Sequence, residues 1–233
     1  MRAPDGARLA PVSEYDDEII RPDGLTYGLL LVRAARDEVL RVLVRERFSG
    51  WVGPDEDGWV VGVADRPRGH VAAHRRYLPD VGELVSGDLH AAVVTVVVAR
   101  DLLLQVWAHD DGAEVVTYLS DAHLAFPDDE DAFGPQGAHG SRTLASLAGH
   151  PEVGDELTTL LSEERGEADA ESERLMAVCR LLAWPQWLVA VDSLPRRVPG
   201  GPDADAFTRL RAGRTGVGGL LAARAAAVVR RDE

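Results

Sequence analysis

The chain contains no lysine and no asparagine, has one cysteine, Cys179, and places isoleucine only at Ile19 and Ile20. Without lysine, neither a Schiff base nor a lysine-dependent phosphate loop can be built. Every basic side chain is therefore arginine, a usage that reads as codon bias in a GC-rich bacterial genome. A lone cysteine forms neither an intramolecular disulfide nor a multi-thiolate metal cage, as expected of a protein in a reducing cytoplasm. Positive charge is also scarce. With 25 basic side chains against 39 acidic ones the net charge is -14, which repels a phosphate backbone unless the arginines cluster. Nucleic acid is not an expected partner, whereas a basic protein is. Long apolar runs are missing too. The most apolar, Ala91 to Ala99, is followed by Arg100 and Asp101 and is too short to cross a bilayer as a helix. Residues Met1 to Tyr15 lack a basic segment followed by an apolar one, so no export and no membrane association are expected.

The rest of the composition is that of a globular domain. Hydrophobic residues at 45% and charged residues at 27% lie far from the range in which chains stay disordered. A chain of 233 residues buries roughly seven-tenths of its unfolded surface on folding, enough for a substantial core.

Periodicity divides the chain. Residues 1–24 carry prolines and the acids Glu14, Asp16, Asp17 and Glu18 without apolar periodicity and read as a flexible acidic arm. Residues 25–121 read as an α+β sheet domain. Tyr27 to Val32 is a compact apolar run typical of a buried strand, and Val39, Val42 and Leu43 recur at helical spacing behind Asp37 and Glu38, whose charge suits a first turn. Trp51–Val52 and Trp59–Ala64 are expected to pair as a hairpin, with its turn assigned to residues 53–58. A second helix is expected around Pro79 to Val85. Three strands then follow, Ala92 to Val98, Leu102 to His109 and Ala113 to Leu119, with Asp111-Gly112 a favoured tight-turn pair. The order is β-α-β-β-α-β-β-β in a mixed or mostly antiparallel sheet. Residues 122–140 read as an acidic, Pro/Gly-rich connection. Residues 141–212 read as a helical region that packs on the sheet through Val153, Leu157, Leu160 and Leu161 on one face and Leu175, Val178, Cys179 and Leu182 on another. Residues 213–233 read as a glycine linker and a short helix.

Four constellations carry possible chemistry. His70 and His74, four residues apart, would share one face of a helix, a spacing found in zinc sites, but no Glu follows the first and no third ligand is near. The run Asp128, Asp129, Glu130, Asp131 offers oxygen ligands to a hard cation, or a solvated acidic loop. His109, Asp110 and Asp111 sit at a hairpin turn, where an exposed tip is the ordinary explanation. Trp184 and Trp187 flank Pro185 at a helix end, where large rings either cover a junction or meet a partner. No Gly-x-Ser-x-Gly elbow occurs, and Cys179 falls on the apolar face of its helix, where a thiol behaves as a small hydrophobe.

Together these readings point to a cytoplasmic, non-catalytic protein-binding or regulatory module with an acidic surface and no cofactor. Its contacts are expected at Trp184, Trp187 and Asp128 to Asp131. The alternatives are a divergent metal-assisted hydrolase built on His70, His74 and Asp128 to Asp131, or a subunit of a protein assembly. The sequence sets no oligomeric state.

Overall fold

The computed structural model describes residues 24–164 and 170–214. The expected acidic arm and almost all of the C-terminal glycine linker and helix lie outside the described residues. The elements run β1 (Tyr27–Val32), α1 (Arg36–Arg45), β2 (Gly50–Glu56), β3 (Trp59–Ala64), α2 (Leu78–Leu89), β4 (Val93–Ala99), β5 (Leu103–Asp110), β6 (Ala113–Leu119), α3 (Ala122–Ala125), α4 (Ser141–Ala148), α5 (Gly154–Ser162), α6 (Glu171–Leu181) and β7 (Thr208–Leu210). The strands form one antiparallel sheet in the order β6-β5-β4-β1-β3-β2-β7. The fold class is α+β.

Helices cover both faces of this sheet, which is why its central strands are apolar throughout rather than alternating. Successive side chains still point to opposite sides. Leu29 and Leu31 of β1, with Val94, Val96 and Val98 of β4, pack beneath α4, α5 and α6. Leu30 and Val32, with Val93 and Val97, face α1 and α2. On α1, Val39, Val42 and Leu43 are buried, with Asp37 and Glu38 in the first turn. Gly82 lets α2 lie close on the sheet. A Cβ there would stand 2.7 Å from Thr95 Cγ2.

The first hairpin turn is shorter than the sequence suggests, and the second is as expected. The hairpin β2–β3 turns at Asp57-Gly58 alone, both at positive φ (52° and 81°), and Glu56 pairs with Trp59. Gly53 and Pro54, assigned above to the turn, belong to β2, where the register shifts between Val52 and Asp55. Pro54 is tolerated because β7 pairs only with Gly50 to Val52, so its missing N–H interrupts no ladder on that side. Asp111-Gly112 turns the β5–β6 hairpin, again with both φ positive (50° and 77°), as a type I′ turn requires. His109 does not crown this turn. It is 2% exposed and lies under α2, where its Nδ1 would be 3.5 Å from a Cβ on Gly82.

The C-terminal layer is helical up to its last described strand. Leu144, Ala145 and Ala148 of α4, Leu157 and Leu161 of α5, and Leu175, Val178 and Cys179 of α6 are buried against the sheet. Burying each leucine side chain contributes about 1.5–3 kcal/mol. Trp187 to Val191, ambiguous in the sequence between strand and helical turn, belongs to a 3-10 segment, Gln186–Ser193. The chain then returns to the sheet as β7 beside β2. This seventh strand is absent from the sequence reading, because three residues, Thr208, Arg209 and Leu210, carry no periodicity of their own.

A polar seam docks α6. The backbone N–H of Glu171 donates to the Asp101 carbonyl at 2.9 Å, and that of Ser172 donates to Asp101 Oδ1 at 2.6 Å. Ser172 Oγ and the Tyr27 hydroxyl share a hydrogen bond of 3.1 Å. Arg174, 5% exposed, donates from Nη1 to the Tyr118 hydroxyl at 2.6 Å and from Nη2 to the Glu163 carbonyl at 2.7 Å. Its Nε stands 3.4 Å from Glu171 Oε2. Burial raises the pKa of the Tyr27 phenol and pushes the Cys179 thiol up to about 12, so both are neutral hydrogen-bonding or packing groups rather than nucleophiles.

Two expectations follow. Replacing Arg174 with Met leaves the buried Glu171 carboxylate without its guanidinium, which costs about 3–5 kcal/mol; a urea midpoint unchanged from wild type would refute the seam's role. Gly82→Val forces α2 off Thr95 and is expected to cost about 1–3 kcal/mol by the same measurement.

Candidate functional site

The residues singled out in the sequence fall into three separate places. Asp128, Asp129, Glu130 and Asp131 form an exposed loop after α3, anchored by Ala132 packing on Ala99, Leu103 and Leu119 at the β5–β6 end of the sheet. His70 and His74 lie at the opposite end, where the Ser49 N–H beside β2 donates to the Val71 carbonyl at 2.8 Å. The structure therefore does not bring these histidines and carboxylates together. Nor do the two histidines share a helix face. His74 sits in a 3-10 turn, Ala73–Arg75, with φ 58°, and His70 precedes it, its ring against Tyr77 at a centroid distance of 4.5 Å. Among the described residues, no group of three or more His, Cys, Asp or Glu is placed to hold a metal ion.

Trp184 and Trp187 are mostly core. Their exposures are 3% and 6%. Trp184 meets Trp59 edge to face at 5.8 Å, and Trp187 meets Phe207 in the same way at 5.7 Å, the geometry that ring quadrupoles favour. What solvent reaches is the rim of an open depression of about 670 Å³ formed by these rings, Pro185, Met176, Glu56 and Asp57. Two parts of the fold build it. The tip of the β2–β3 hairpin supplies the carboxylates, and the chain leaving α6 supplies the rings. One hydrogen bond locks the two parts together, from Trp187 Nε1 to Glu56 Oε2 at 2.8 Å. Glu56 is thereby oriented, while Asp57 is exposed.

The second hollow, about 640 Å³, has the opposite character and is lined by Arg45, Arg47, Arg76, Glu46, His70 and His74 among others. Its walls come from the end of α1, the loop after β3 and the chain beyond β7. Sequence reasoning picked out the two histidines for their spacing but missed the arginines. Arg45 and Arg47 are spread over one stretch and Arg76 lies about thirty positions on, so only the fold assembles them.

Among the buried titratable groups His109 stands apart. Burial is the main cause of a pKa below the ordinary 6.5, opposed by the charges of Glu114, Glu83 and Asp80. The folded chain refuses a proton that the unfolded chain accepts. Stability is then full above the unfolded value and falls as pH drops through it. The neutral variant His109→Gln is expected to lose less stability than wild type on moving from about pH 7.5 to about 5.5, read from paired urea titrations. Equal losses would show that the imidazole charges freely in the fold.

No protein-family model matches the chain, and no curated protein or solved structure matches it either.

Proposed function

We propose that the chain is a non-catalytic, cytoplasmic binding or regulatory module whose acidic exterior takes a basic segment of a partner protein. The observation that carries this reading is the depression at the hairpin tip, where carboxylates of Glu56 and Asp57 stand beside the edges of Trp184, Pro185 and Trp187. Arginine and lysine side chains bring an apolar stem and a charged head, and this surface offers rings to the first and carboxylates to the second. A net charge of -14 adds long-range attraction, which raises association rates more than it deepens affinity. The exposed acids Asp128 to Asp131 contribute to that field from the other end of the sheet. The lone, buried Cys179 suits a reducing compartment. Among the described residues no helix is long and apolar enough to cross a membrane.

The test is titration of the full chain with an arginine-rich peptide carrying one apolar residue, read by tryptophan fluorescence at physiological salt. Glu56→Gln combined with Asp57→Asn keeps the turn, since asparagine tolerates positive φ, and is expected to weaken binding by roughly 3- to 10-fold. A double variant that binds the peptide as tightly as wild type would sink the assignment of this depression.

A further inference from the structure

The basic hollow is out of keeping with the rest of this acidic protein. We infer that it is a binding site for a small phosphate monoester, held by the guanidiniums of Arg45, Arg47 and Arg76 with donors from His70 and His74.

Two of the arginines, Arg45 and Arg76, are held in place before any ligand arrives. Glu46 accepts from Arg45 Nε at 3.0 Å through one carboxylate oxygen and from Arg76 Nη1 at 2.5 Å through the other. Asp88 of α2 also pairs with Arg45. These carboxylates fix two guanidinium planes without cancelling the charge of the whole lining. Arg47 has no acidic partner among the described residues. A guanidinium presents several N–H groups in a rigid fork that matches phosphate oxygens, so Arg45 and Arg76 retain donors beyond those Glu46 uses.

The backbone around the hollow is unusual in the same places. Arg47, His74 and Arg75 have φ of 54°, 58° and 56°, and Ala212 has 49°. Residues other than glycine rarely enter this region, and such positions gather at ligand sites. Here hydrogen bonds impose that conformation. The Ala73 N–H donates to the Glu46 carbonyl at 2.9 Å, that of Val71 donates to the Arg76 carbonyl at 2.8 Å, and that of Gly213 donates to the Phe48 carbonyl at 2.8 Å. The Ala212 N–H donates to Ser49 Oγ at 3.0 Å.

The end of α1 nearest the hollow carries the negative pole of the helix, which opposes an anion. Its last carbonyls are however occupied: Val42, Leu43 and Val44 accept from Glu46, Phe48 and Arg47. The sign of the site is therefore set by the arginines. A volume of about 640 Å³ is far more than inorganic phosphate fills and lies within the range of about 300–1,000 Å³ typical of small-molecule sites. Ala72 and Ala73, both partly exposed, line it as well and supply apolar surface for the organic part of the ester. This site is independent of the acidic depression, from which it differs in both lining and sign.

Inorganic phosphate, ribose 5-phosphate, adenosine monophosphate and citrate are the probes, each titrated into the full chain by calorimetry at matched ionic strength. One or both esters should bind more tightly than inorganic phosphate. Arg47→Asn and His74→Asn suit the left-handed backbone, so their melting without ligand should match wild type. Arg47→Asn should weaken ester binding roughly tenfold or more, the scale of one charge-assisted hydrogen bond, and His74→Asn by a smaller factor. Citrate binding as tightly as the esters, esters binding no better than phosphate, or full ester affinity in Arg47→Asn would each overturn the inference.

Discussion

The position of everything beyond the sheet depends on how α6 is attached to it. Apolar contact alone would let a helix slide or rotate by small amounts at little cost. The seam through Asp101, Tyr27, Ser172, Arg174 and Tyr118 permits one placement, because each buried donor or acceptor left without its partner is costly. The residues that follow α6 inherit that placement. Trp184 reaches Trp59, Trp187 reaches Glu56, and the chain is then aimed at the free side of β2, where β7 pairs. Specific polar bonds inside an apolar layer thus set the geometry of the whole far edge of the sheet.

The two hollows show how one chain carries opposite local potentials. A net charge summed over the sequence describes the distant field, which is negative. It says nothing about a concavity a few residues wide, where Arg45 and Arg47 at the end of α1 meet Arg76 from the loop after β3. In a cleft, low-dielectric walls concentrate the field of the lining charges, and beyond roughly 8 Å salt screens the rest. The acidic exterior and the basic hollow therefore coexist without contradiction.

Much of the fold was legible because its signals are local. The apolar runs at Tyr27–Val32 and Val93–Ala99 are long enough to mark central strands, Asp57-Gly58 and Asp111-Gly112 contain the residues that tight turns favour, and the spacing of Leu175, Val178 and Cys179 marks a helix face. What was not legible depends on partners remote in sequence. Three residues make β7 only because β2 offers an open edge. His109 occupies an inward position whose burial follows from α2 crossing above it, although its neighbours form an exposed turn. His70 and His74 have helical spacing, yet the backbone between them passes through an extended residue, Ala72, with φ -142°, which no count of intervals reveals. Trp184 and Trp187 were recognisable as important, but whether their rings face a core or a partner is decided by Trp59 and Phe207, which lie far away in the chain.

The wall contributed by Ala212 has a kinetic meaning. Its bond to Ser49 spans 163 positions, among the most distant closures in the chain. Such long-range pairings form after local ones, because the entropy of bringing remote segments together is lost before any contact compensates for it. The arginine-lined hollow is thus completed only when segments as remote as Ser49 and Ala212 have been brought together, and its presence is a signature of a sheet domain that has closed its last edge.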